Sequence, residues 1–134
     1  MKKLIIHGVV ASILASISGI IYAEIYANAM WSDFSAVINP TSIIAASTIG
    51  CLLMTLGYFV LIRFNKEKFI GFLNIVISVL SFASIVGPLG MSLPLDIESP
   101  ELFPGLSIPM HFFPALAFFT VAPFFQVNQE QVSG

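Results

Sequence analysis

Four long apolar runs, separated by short polar segments, constrain this chain more than any other feature. A helix that crosses about 30 Å of hydrocarbon needs about 20 mostly apolar residues. Stretches of that kind run from about Leu4 to Met30, Pro40 to Phe64, Phe69 to Met91 and Ile108 to Val127. The runs are continuous rather than alternating with period two, which excludes a β-barrel. With 57% of its 134 residues hydrophobic and 9% charged, the chain has too few polar side chains to clothe a soluble domain of this size. The expected fold is all-α: an integral membrane four-helix bundle forming a single transmembrane domain over residues 1–134, with the lipid bilayer as its solvent.

The connections set the topology. Asn65-Lys66-Glu67-Lys68 is a tight polar turn that makes the second and third runs an antiparallel hairpin. Asn39-Pro40 marks a helix start, because proline in a first turn forfeits no hydrogen bond. Residues 92–107 form the longest expected loop, with Pro94, Pro100, Pro104, Gly105 and the acids Asp96, Glu98 and Glu101. All five basic residues, Lys2, Lys3, Arg63, Lys66 and Lys68, fall on one side of such a bundle. The positive-inside bias therefore places both the N- and C-termini in the cytoplasm. Tyr22, Tyr26 and Trp31 would then form an outer aromatic belt, with Tyr58 near the inner one. Met1-Lys2-Lys3 before an apolar stretch, with Ala27-Asn28-Ala29 after it, also fits a secretory signal. The stretch is longer than a signal core, so retention as a transmembrane helix is expected. A multi-pass protein of the inner (cytoplasmic) membrane follows.

Lipid removes the hydrophobic drive between helices, so small residues and polar side chains must bring them together. Gly8, Ala11, Ser12, Ala15, Ser16, Gly19 and Ala23 make a small-residue stripe along the first span. Ala46, Gly50 and Gly57 in the second span and Asn74, Ser78 and Ser81 in the third offer matching faces. These faces are expected to meet in the bundle centre; a contact between copies in a homo-oligomer is the alternative. Ser107 is the expected N-cap of the fourth span, with Pro109 in its first turn. Pro114 removes the hydrogen bond to the Met110 carbonyl and predicts a kink, and Gly87-Pro88 predicts a bend or end of the third span. Bends at matching depth would open a cavity in the outer half.

Ionisable residues within membrane spans are functional candidates. Glu24 and His111 fall at similar depth near the outer face, with Asn28 one turn from Glu24, and a carboxylate–imidazole pair there could bind a polar head group or move protons. His7, one turn from the inner surface, is expected to be interfacial. Asn74 is read as interhelical glue and Cys51 as a small core residue. The sequence has none of the common hydrolase, nucleotide-binding or zinc-enzyme motifs, so a non-enzyme is expected. Scattered acids and two histidines give no metal site, no cofactor is implied, and without a basic stripe neither is nucleic acid.

The small-residue first span ending in a Tyr/Ala/Asn region, Val86-Gly87-Pro88-Leu89, Met110-His111 and Val121-Ala122-Pro123 together resemble a family of small, uncharacterised bacterial four-helix membrane proteins. That resemblance spans about Leu4 to Phe125, implies four helices and marks His111; it implies no activity. The functional expectation is binding or transport of a small hydrophobic or amphipathic ligand through an outward-facing cavity. Glu24, Asn28 and His111 would meet its polar end, and the phenylalanines of the fourth span, Phe112 and Phe118 among them, its apolar part. A structural or accessory subunit packing through small-residue faces is the alternative, and a membrane enzyme using Glu24 and His111 as an acid–base pair is the third.

Overall fold

The computed structural model describes residues 2–125, and among these every regular element is helical. Helix α1 spans Lys2–Met30, α2 Pro40–Arg63, α3 Ile70–Ala83, α4 Val86–Gly90, α5 Phe103–Met110 and α6 Phe113–Phe125. Single 3-10 turns at Glu67–Phe69 and Pro100–Leu102 lead into α3 and α5. The six helices join into four helical runs, Lys2–Met30, Pro40–Arg63, Glu67–Gly90 and Pro100–Phe125, each long and apolar enough to cross a membrane.

Local chemistry explains the ends. Asn39 accepts a hydrogen bond from Ser42 N (3.0 Å) while Ser42 Oγ accepts one from Asn39 N (3.0 Å), a reciprocal cap with Pro40 just inside it. At the other end of α2, Asn65 adopts a left-handed φ of 53°. Lys66 N then reaches Leu61 O (2.8 Å) and Asn65 N reaches Ile62 O (3.0 Å), the Schellman pattern that satisfies the last carbonyls.

The fourth span begins earlier than expected. Ser107 is not a cap: it lies buried inside α5, with Oγ donating to Phe103 O (3.0 Å). Pro100 and Pro104 sit in first turns, where their missing N–H groups cost nothing, so they start helices rather than populate a loop. The irregular segment shrinks accordingly to 91–99. The expected end of this span at Val127, and the C-terminus itself, lie outside the described residues.

The core is built by three spans. The small-residue stripe of α1 is buried from Gly8 to Gly19, and a Cβ at Gly8 would collide with Thr55 of α2. Cys51, Met54, Tyr58, Phe118 and Val121 pack around it. His7 is not interfacial. It is 3% exposed, its Nε2–H donates to Phe118 O (2.8 Å), and its ring stacks on Phe118 at 4.1 Å. Proximity in sequence to Lys2 and Lys3 suggested the surface, but α1 turns this face onto α6. A second cluster of Phe34, Phe103 and Leu106 joins the 31–39 connection to α5. The third span stands apart: of α3 only Ile77 is buried, and α4 buries nothing. Its small polar face therefore does not meet the α1 stripe in the bundle centre.

Candidate functional site: a groove beside the third span

Two prolines break two helices. Pro88 has no N–H for the Ser84 carbonyl, and the helix gives way at Ser84–Ile85, where Gly87 N bonds to Ser84 O (3.2 Å) over a shortened turn. Pro114 likewise withholds a donor from Met110, and the fourth span breaks at His111–Phe112, with His111 N on Ile108 O (3.1 Å) and Phe112 N on Pro109 O (3.0 Å). The two breaks meet. His111 Nδ1 lies 3.0 Å from Ser84 Oγ, and Phe82 packs edge-on against Phe112 with ring centroids 5.0 Å apart.

Ser84 Oγ also donates to Ser81 O at 2.7 Å. A serine has one hydroxyl proton and the Ser81 carbonyl can only accept. For both bonds to form, Nδ1–H of His111 must donate to Ser84. In the neutral ring Nε2 is then a lone-pair acceptor.

A second tie holds the N-terminal half of the third span. Tyr58 Oη donates to Asn74 Oδ1 (2.6 Å), so Asn74 is the interhelical glue its position suggested, and Tyr58 is a buried partner rather than an interfacial anchor. Gly57 lets Leu73 approach at the same level; a Cβ there would sit 3.1 Å from Leu73 Cδ2.

Along its length the third span leaves a groove of about 870 Å³ against α2, α5 and α6. Its floor includes Ala46, Gly50 and Met54, its outer wall Leu80, Ser81 and Ser84, and its far side Met110, His111, Phe113 and Pro114. The lining is mostly apolar, and its polar groups are serine hydroxyls and His111. A smaller hollow of about 520 Å³ lies on the opposite side of the third span, bounded by Tyr58, Asn74, Ser78 and Phe119.

Of the residues expected to bind ligand, His111 borders this groove. Glu24 and Asn28 are exposed and do not border it; Asn28 Nδ2 donates to the Glu24 backbone carbonyl (2.7 Å). The structure does not bring Glu24 and His111 together, because His111 turns to Ser84. Phe112 packs on Phe82, and Phe118, with no exposed surface, belongs to the core. Among the described residues no three of His, Cys, Asp and Glu converge where a metal ion could sit. Ser84 was missed, although the signal was present: it lies four residues before Pro88, where a proline frees a carbonyl and loosens the helix.

Comparison with family models, curated proteins and solved structures returned no match to this chain.

Proposed function

We propose that the chain is a multi-pass protein of a bacterial cytoplasmic membrane, with both ends cytoplasmic, that binds or carries a small hydrophobic or amphipathic ligand in the groove beside its third span. Four apolar spans and the placement of Lys2, Lys3, Arg63, Lys66 and Lys68 at one end of the bundle support the topology. The observation that carries the ligand reading is the groove itself. At about 870 Å³ it falls within the roughly 300–1,000 Å³ of small-molecule sites, and it shares their pattern of apolar walls with a few convergent polar groups.

Filling the groove tests this. Ala46 lines it with an exposed side chain, so Ala46→Phe should occupy the space without disturbing the core. Protein purified in mild detergent should carry an apolar or amphipathic small molecule by mass spectrometry, and Ala46→Phe should carry several-fold less. Equal amounts in both proteins would sink the reading. Topology is checked separately by placing single cysteines at Lys66 and Glu98 in a Cys51→Ser background. A membrane-impermeant maleimide should label only position 98 once the outer face is exposed.

A further inference from the structure

We infer that the groove selects an uncharged, single-chain amphiphile whose head group donates a hydrogen bond to Nε2 of His111; this rests on the ligand-binding reading above. Three observations lead there. The first is the absence of charge: no Lys, Arg, Asp or Glu lines the groove. A carboxylate or ammonium head would lose its hydration with no counter-ion to replace it, a penalty an uncharged head escapes.

The second is the fixed polarity of the one imidazole present. Ser84 spends its proton on Ser81 O and accepts from His111 Nδ1–H. The neutral ring therefore offers the groove an acceptor, and a hydroxyl is the simplest uncharged partner for it. A head that can only accept, such as an ester or ether oxygen, gains nothing from Nε2.

The third is shape. Along α2 the lining runs from Ser42 to Met54, about 18 Å at 1.5 Å per residue, which suits one extended alkyl chain. Pro114, three residues after His111, packs on Gly50, so the head group falls partway along that path and the tail runs from it toward Met54.

Photo-crosslinking separates this inference from the groove reading. A matched set of hexadecyl probes would carry the same mid-chain diazirine and end in hydroxyl, carboxylate, trimethylammonium or methyl. Each is presented to the full-length protein in lipid nanodiscs at mildly alkaline pH, where an ordinary imidazole is neutral. Labelling is mapped to groove residues such as Leu53 and Leu80. The hydroxyl probe should label these residues best. In His111→Phe its advantage over the methyl probe should fall about fivefold, the worth of one hydrogen bond, while methyl-probe labelling persists and shows that the groove is intact. Equal labelling by hydroxyl and methyl probes in the wild type overturns the head-group inference and leaves the groove reading standing. Preference for the carboxylate or ammonium probe overturns it as well. If no probe labels these residues, and Ala46→Phe changes nothing, both readings fail.

Discussion

Pro109 has no N–H to give the Gly105 carbonyl, and an unpaired carbonyl in apolar surroundings is costly. Tyr22 Oη supplies the missing donor at 2.7 Å. Tyr26, one turn on, donates to Leu102 O at 2.6 Å, but Leu106 carries an ordinary N–H four residues after that carbonyl. Tyr22→Phe should therefore destabilise the protein by about 1–2 kcal/mol and Tyr26→Phe by less. Thermal unfolding in a single detergent would show the difference, and equal losses would refute this division of roles. His7 poses a similar question, since its ring both stacks on Phe118 and donates to it. His7→Phe keeps the stack and should cost about 1 kcal/mol. His7→Ala also empties the space and should cost about 3 kcal/mol. Comparable costs would mean that the hydrogen bond, not the ring, holds α1 to α6.

At the scale of elements, the two proline breaks bring Ser84 to His111. Pro114→Ala restores a donor for the Met110 carbonyl and should let α5 and α6 run on as one helix, swinging His111 off Ser84. Nitrogen NMR of the ring should then lose the fixed Nδ1–H signature seen in the wild type; an unchanged signature would show that the break does not depend on Pro114. The breaks were legible in the sequence because proline acts on its own helix, four residues back, whatever surrounds it. The antiparallel hairpin at 65–68 and the α1 stripe were legible for the same reason: local spacing sets them. The start of the fourth span was not. Three prolines between 92 and 107 look like a loop until it is known that Pro100 and Pro104 occupy first turns. Nor could His7, Glu24 or Phe118 be placed, since their surroundings depend on the rotation of each helix about its axis. An all-apolar helix leaves that rotation unmarked, as there is no polar face to turn outward. Azimuth was not readable, and the depth of His111 was not either: with the span starting at Pro100 rather than Ile108, His111 lies about three turns in, where it borders the groove, while Glu24, expected at the same level, does not.

Across the whole molecule, α1, α2 and the fourth span share a packed core, while the third span leans on it through two polar ties, Tyr58–Asn74 and His111–Ser84. With Ile77 the one buried residue of α3 and none buried in α4, little apolar packing holds the third span, and in the proposed lipid setting no hydrophobic drive makes up the difference. Interhelical hydrogen bonds of this kind average about 0.6 kcal/mol each, so either tie alone holds its end by only a few-fold in population. The width of the groove should therefore be adjustable. Spin labels at Ile44 on α2 and Val86 on α4, both exposed, report the outer gap without touching the lining. Ser84→Ala should broaden that distance distribution toward longer values, because it frees the end nearest the labels. Tyr58→Phe should leave the same distribution nearly unchanged, because the His111–Ser84 tie still holds the end nearest the labels. The double variant should broaden more than the sum of the two, since the span is then held at neither end. A narrow distribution in all four proteins would mean that lipid pressure or packing, rather than these hydrogen bonds, sets the groove. In that case His111 would be tied to Ser84 by the fold and would take no part in holding it.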